Sequence, residues 1–248
     1  MSIIIPILSA MIKEMADIIM PRECLVCGRK LARHERFLCL WCASDLPLTY
    51  YWEQPHNVMS DKFNGVLERF RGEGERMAYS YAAALLFYHS ENPYRRIPQA
   101  VKYQYNIPAG RFFASVLGQK LASAPQFATV DAVIPVPLHW LRRYRRGYNQ
   151  AEVIAAAVAK ALDVPLFPKA LVRRRRTGTQ TVLDAASRLE NVLGVFRVRH
   201  LPAGIRHALL IDDTFTTGAT LAACTLALRA VAPDIKISVA TLSVVDSW

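Results

Sequence analysis

Residues 207–220 read HALLIDDTFTTGAT, an apolar run that ends in two acids and continues as a turn rich in threonine. The run predicts a buried strand over 207–212, because a strand covered on both faces shows no polar alternation. The alanine-rich residues 216–231 predict a helix that ends before Pro233. The junction is therefore a predicted strand–turn–helix unit.

The acids and the threonines of this junction suit different chemical groups. A helix start offers free N–H groups and a partial positive charge, so the threonine turn suits a phosphate. Asp212 and Asp213 would repel a phosphate, but carboxylates suit sugar hydroxyls or a hydrated Mg²⁺. The pattern therefore favours a sugar phosphate, and the alternative is a junction whose Thr and Asp residues serve only as caps. Neither glycine signature of nucleotide-binding loops is present.

Outward from this unit, apolar runs alternate with helical patterns from about residue 77 onward. Predicted strands cover 81–90, 131–137, 207–212 and 236–245, and predicted helices cover 93–103, 109–122, 149–162 and 216–231. The alternation predicts an α/β fold with a parallel sheet flanked by helices. The acidic turn and the arginine-rich residues after 133–139 both follow strand ends, so we expect them on the rim where such sheets bind ligands.

The chain carries a net charge of +11, and much of the surplus lies in LRRYRRGY (141–148) and VRRRRTGTQ (172–180). Positive charge concentrated in two predicted loops favours a polyanionic ligand, either a phosphorylated small molecule or a nucleic acid. The alternative is a solvated basic face.

Four of the five cysteines form CLVC (24–27) and CLWC (39–42), which gives the pattern C-x2-C-x11-C-x2-C. This spacing predicts a structural Zn²⁺ site of Cys24, Cys27, Cys39 and Cys42, since four thiolates leave no open position for catalysis. Disulfides or a redox pair are the alternatives, and disulfides need an oxidising compartment. The fifth cysteine, Cys224, is predicted to be a buried small residue.

Three regions are expected along the chain. Residues 1–20 predict an amphipathic helix, and their charged residues interrupt the apolar run well short of a transmembrane span. Residues 21–60 form the predicted double-CxxC zinc module, residues 77–248 form the α/β domain, and a polar stretch over about 46–76 connects them. With no export signal recognised, we expect a cytoplasmic protein, and the oligomeric state is not predicted.

The segment 209–220 resembles the phosphoribosyl-diphosphate (PRPP) signature of type I phosphoribosyltransferases, with Thr214 where an aliphatic residue is more usual. Further stretches narrow the resemblance to the ComF family across nearly the whole chain. They are the double CxxC, VKY (101–103), VIPVPLHWLRRYRRGYNQAE (133–152), which contains the pattern R-G-[FY]-N-Q-[AS], and RRTGTQTVLDAASRLENVLGVF (175–196).

The resemblance implies a type I phosphoribosyltransferase-like domain that binds PRPP with Mg²⁺ and transfers phosphoribosyl to an unidentified acceptor, releasing pyrophosphate. It implies that Asp212 and Asp213 bind the ribose hydroxyls and that residues 173–188 form a mobile flap. The remaining implied PRPP-binding residues are Thr214, then Thr216, Thr217, Gly218, Ala219 and Thr220 around the 5′-phosphate, and Pro137 and Leu138 in the pyrophosphate loop. The cations implied in catalysis are Arg146, Arg176 and Lys102.

ComF relatives are associated with natural competence, the uptake of external DNA, so the resemblance also implies a link to DNA-uptake machinery. The alternative to an enzyme is a non-catalytic, PRPP-sensing accessory protein that binds single-stranded DNA. The candidate nucleic-acid contacts are Arg142, Arg143, Arg145, Arg173, Arg174 and Arg175. Aromatic residues near the cysteines could stack on bases or fill a small core; they are Phe37, Trp41, Tyr50, Tyr51 and Trp52.

Overall fold

A computed structural model describes residues 21–70, 78–103, 105–173 and 194–245, apart from the side chain of Arg142. The predicted helix over 1–20 and all of the predicted flap except Arg173 lie outside these residues.

A parallel sheet of four strands forms the centre of the fold. The strands are β1 (Ala82–Tyr88), β2 (Ala132–Pro135), β5 (His207–Phe215) and β6 (Lys236–Val245), and they lie in the order β1-β6-β5-β2. Pairing places Ile134 beside Leu210 and Leu210 beside Val239, and all of these central residues are fully buried. The predicted parallel α/β fold is confirmed. A separate antiparallel pair consists of β3 (Leu171–Arg173) and β4 (Phe196–Val198).

Helices flank the sheet. They are α1 (Leu40–Ser44), α2 (Val58–Glu68), α3 (Arg96–Tyr103), α4 (Ile107–Ala122), α5 (Trp140–Arg146), α6 (Gln150–Leu162) and α7 (Ala219–Arg229), with short 3-10 turns at Tyr51–Glu53, Pro93–Arg95 and Pro125–Phe127. Helices α4 and α6 pack closely, because a Cβ on Gly118 would lie 2.6 Å from the Cβ of Ala161. Side chains of Asn106 and Asn149 cap the starts of these two helices.

The strand and helix of the opening junction differ in length from the prediction. Strand β5 continues to Phe215 instead of ending at residue 212, because β6 pairs with it as far as Val244. Helix α7 begins at Ala219 instead of residue 216, because Gly218 adopts a φ of +77°, which a right-handed helix does not contain. The acids therefore lie within the strand, and the turn is confined to 216–218.

Two segments predicted as connections or loops contain regular structure. The stretch predicted to join two modules holds the turn at Tyr51–Glu53 and helix α2, and it buries Trp52 and Phe63 completely or nearly so. The amide of Thr49 donates to the carbonyl of Leu85 in β1, at 3.1 Å. This stretch therefore belongs to the core as far as α2. The basic segment 141–148 lies mostly in helix α5 instead of a loop.

Candidate ligand-binding cleft and metal centre

The four paired cysteines converge on one point near the start of the described chain. Their sulfur atoms all lie within 4.8 Å of one another, and the Sγ atoms of Cys27 and Cys39 are 3.7 Å apart. Tetrahedral zinc with Zn–S bonds of about 2.3 Å requires a sulfur–sulfur separation of about 3.8 Å. Gly28 takes a φ of +74° just after the first pair, which allows the tight turn of a knuckle. The cluster could therefore hold a metal such as zinc.

The surroundings of the four sulfurs also favour the binding of a cation. Burial alone would raise the pKa of Cys24, but bonds from the backbone of Cys27, Cys39 and Val26 lower it to about 7. Burial and the neighbouring thiols raise the pKa of Cys42 well above its usual value. Four sulfurs so close together cannot all ionise unless a positive ion compensates them. The donor set and its surroundings thus fit a Zn²⁺ ion.

Three of the five aromatic residues near the cysteines pack inside the protein. Phe37 contacts Phe112 of α4 at a ring distance of 5.3 Å, and Tyr51 and Trp52 are buried. Trp41 and Tyr50 are 72% and 48% exposed. Only these last two remain free to contact a ligand.

A cleft of about 250 Å³ opens at the carboxyl ends of β2 and β5. It brings together eight of the site residues predicted from the sequence. They are Lys102, Pro137, Leu138, Arg146, Arg173, Asp212, Asp213 and Thr220. The rim of the parallel sheet thus gathers residues that are up to 118 positions apart, from Lys102 to Thr220.

Lys102 forms an ion pair with one member of the acidic pair. Its Nζ lies 3.1 Å from the Oδ1 of Asp213 and donates to the Oγ1 of Thr214 at 2.9 Å. The hydroxyl of Thr214 is also 3.0 Å from the hydroxyl of Ser243 in β6. Both partners of the ion pair are about four-fifths buried, so solvent screens this pair less than a surface pair.

Asp212 carries the most perturbed carboxyl group of the cleft. Part of the residue is exposed in the cleft, but burial of its carboxyl group and the charge of Asp213 raise its pKa to about 7. The amide of Asp213 donates to the Oδ1 of Asp212 at 2.8 Å and opposes this shift only in part. A ligand that brings hydroxyl donors or a cation would favour the ionised carboxylate.

The threonine turn forms a second, smaller pocket that shares Asp212 and Thr220 with the cleft. Gly218 comes directly before helix α7 and provides no side-chain cap, and its Cα lies against Phe215, since a Cβ there would be 2.9 Å from that ring. The pocket is lined by the other residues predicted to bind PRPP around the threonine turn. They are Thr214, Thr216, Thr217, Gly218 and Ala219.

The arginine clusters separate into those in the cleft and those outside it. Arg146 donates to the Oε1 of Gln150 at 3.2 Å, and its guanidinium lies 5.2 Å from the ring of Tyr103. Arg143 forms an exposed ion pair with Glu152 at 2.9 Å, and neither it nor Arg145 lines the cleft. Arg174, Arg175 and Arg176 and the side chain of Arg142 lie outside the described residues.

Five further residues line the cleft that the sequence interpretation did not assign: Tyr103, Val136, Asn149, Gln150 and Ala151. Asn149 ties the start of α6 to the loop after β2, because its Nδ2 donates to the carbonyl of Val136 at 3.0 Å. The signal for Asn149 and Gln150 was available, since both belong to the pattern R-G-[FY]-N-Q-[AS] that begins at Arg146.

Comparison with known proteins identifies several curated relatives. The chain is 32% identical over 147 residues to competence protein F of Haemophilus influenzae, across 57% of this chain and 64% of that protein. It is 37% identical over 92 residues to the DNA utilization protein YhgH of Escherichia coli K12, and 36% identical to that of Salmonella typhimurium, across 37% of this chain and 40% of each relative. The matched regions thus cover less than two thirds of each relative. No protein-family model matches the sequence.

No helix in the part of the chain that the structure describes is both long and apolar enough to cross a membrane.

The metal centre makes a direct prediction. We expect Cys39→Ser to lose bound zinc and to lower the midpoint of thermal unfolding, because the remaining three sulfurs close the site less well. Mass spectrometry under native conditions and a thermal melt measure both effects. Cys224→Ala removes a buried cysteine outside the cluster and should retain one zinc ion per chain. A Cys39→Ser protein with full zinc content would contradict a four-cysteine site.

Proposed function

We propose that this chain, which belongs to the ComF family by these similarities, binds PRPP with Mg²⁺ in the cleft and transfers its phosphoribosyl group to an acceptor. One observation carries the proposal: Lys102, Arg146 and Arg173 share a single cleft with the acidic pair of β5. Cations for a diphosphate and carboxylates for a sugar are thus within reach of one ligand.

The charges and hydrogen-bonding groups of the site determine which part of PRPP each residue would bind. The ribose hydroxyls would donate to the carboxylates of Asp212 and Asp213 at the end of β5. The 5′-phosphate would lie on the N–H groups at the start of α7. Thr216, Thr217 and Thr220 would add hydroxyl donors, so the phosphate needs no cation of its own.

The pyrophosphate would occupy the other half of the cleft. Arg146 and Arg173 would bind its oxygens as guanidinium groups do, and Lys102 would add a third positive charge. The backbone of Pro137 and Leu138 borders the same space. Bound Mg²⁺ would supply further neutralisation of the departing diphosphate.

The reaction would be a displacement at C1 of the ribose. The bond from C1 to the pyrophosphate oxygen breaks, the bond from C1 to the acceptor forms, and the acceptor releases its proton. No side chain has to act as a nucleophile. The protein would contribute by placing cations where charge develops.

The relatives' names bear on the biological role. Since one relative is a competence protein and others are DNA utilization proteins, we propose a role in DNA uptake or use. We place the protein in the cytoplasm, where thiols remain reduced and can hold a structural zinc ion.

Calorimetry tests the binding proposal. We expect the wild-type protein to bind PRPP in the presence of Mg²⁺ and Asp213→Asn to bind it at least about tenfold more weakly, because a charged hydrogen-bond acceptor is lost. Asp234→Asn removes an exposed carboxylate in the loop before β6 and should bind as the wild type does. Equal affinity of Asp213→Asn and the wild type would exclude ribose recognition by this acid. If the wild type binds PRPP, a screen of bases and amines for pyrophosphate release would identify the acceptor.

Helix α5 favours single-stranded DNA as a second ligand. Tyr144 is 84% exposed and Trp140 46% exposed, and Arg143 and Arg145 lie beside them on the same helix. Exposed rings can stack on bases while arginines contact phosphates. The helix ends at Arg146 in the cleft, so a strand on α5 would run next to bound PRPP. With this second function, the protein would bind PRPP as a signal and would not catalyse its reaction.

Fluorescence anisotropy of a labelled oligonucleotide tests this second function. We expect binding that weakens as salt rises, and Tyr144→Ala/Arg145→Ala should reduce both the affinity and the salt dependence. Lys160→Ala changes an exposed cation about 15 Å along α6 from the cleft and should have a smaller effect on affinity. Affinity that is insensitive to salt, or equal losses in both variants, would rule out α5 as the contact surface.

A further inference from the structure

Helix α3 connects the metal centre to the ligand cleft. It contains only eight residues, Arg96–Tyr103, and its axis is about 12 Å long. The cysteine cluster lies at its first turn, and Lys102 of the cleft lies in its last turn. A displacement at one end of so short a helix moves the other end as well.

Two side chains at the start of α3 hold the two cysteine knuckles. The Nη1 of Arg96 donates to the carbonyl of Val26, between the first two cysteines, at 2.9 Å. The hydroxyl of Tyr94 lies 3.1 Å from the carbonyl of Cys42, the last cysteine, and 3.3 Å from the Oδ2 of Asp45. Each knuckle is therefore bonded to the chain at the start of α3 by a different residue.

The far end of α3 is bonded to β5. Lys102 contacts Asp213 and Thr214 there, and it is the one lysine among the described residues that line the cleft. Between the two ends, the side chains of Ile97 and Val101 are fully buried against the core. Because isolated helices of this length are unstable in water, the position of α3 depends on these contacts at its ends and along its buried face.

We propose that the metal-loaded cysteine cluster positions Lys102 through α3, so that metal binding strengthens the binding of PRPP. The proposal rests on the function proposed above. A metal ion fixes the two knuckles relative to each other, and thus fixes the carbonyls of Val26 and Cys42. Arg96 and Tyr94 bond these two carbonyls, so the separation of the knuckles sets the position of α3. Both are therefore positioning residues. By linkage, bound PRPP would tighten metal binding by the same factor.

A further contact between the cysteine module and the body of the protein lies away from the cleft. Phe37 packs on Phe112 and Phe113 of α4. None of the residues 107–122 of α4 lines the cleft. Anchoring through Phe37 therefore stabilises the module without contacting any group proposed to bind PRPP, whereas α3 carries Lys102 of the cleft.

The double variant Tyr94→Phe/Arg96→Gln tests the proposal in the full chain. It leaves all four cysteines in place, so zinc content should stay at one ion per chain by mass spectrometry. We expect faster hydrogen exchange of the amides of 96–103 and a PRPP affinity about 3- to 10-fold weaker by calorimetry. Arg95→Gln is the matched control, because the neighbouring Arg95 donates to the carbonyl of Ser90 and contacts neither knuckle.

The outcomes separate this proposal from the function on which it rests. Wild-type protein that binds no PRPP would refute the proposed function, whereas exchange in α3 would still report the connection to the knuckles. Unchanged exchange and unchanged PRPP affinity in a zinc-loaded double variant would overturn the proposal. An equal loss of affinity in Arg95→Gln would also overturn it, because the effect would then not depend on the knuckles.

Discussion

The parallel pairing of β5 with β6 determines where the charged groups of the cleft lie. Because β6 continues to Val245, β5 remains hydrogen bonded past its apolar run, and Asp212 and Thr214 pair with Thr241 and Ser243. The acids are thus held on a strand that packing inside the core makes rigid. Every other contributor to the cleft reaches it from a neighbouring element.

Charge explains why such a cleft needs a ligand of mixed character. Two adjacent carboxylates in a partly buried site repel each other, and Lys102 compensates only one of them directly. Arg146 and Arg173 extend the positive charge over the rest of the cleft. A ligand with sugar hydroxyls for the carboxylates and a diphosphate for the cations would satisfy both groups without leaving a buried charge unpaired.

Much of this arrangement could be predicted from local patterns. Continuous apolar runs predicted all four parallel strands, cysteine spacing predicted the four-sulfur cluster, and Lys102 was selected from a short motif. The remaining features depend on contacts between distant residues. The length of β5 depends on β6, and the burial of Trp52 and Phe63 depends on packing partners such as Phe215 that follow far along the chain. The placement of Tyr103 beside Arg146 likewise follows from tertiary packing, which no local pattern encodes.

The most direct test of the cleft is an electron-density map from crystals of the protein grown with PRPP and Mg²⁺. We expect the ribose hydroxyls within about 3 Å of the carboxylate oxygens of Asp212 and Asp213. The 5′-phosphate should lie on the amides of 216–220, with the pyrophosphate between Lys102 and Arg146. Density for the ligand at another surface, or a reversed ligand with pyrophosphate on the threonine turn, would contradict this assignment.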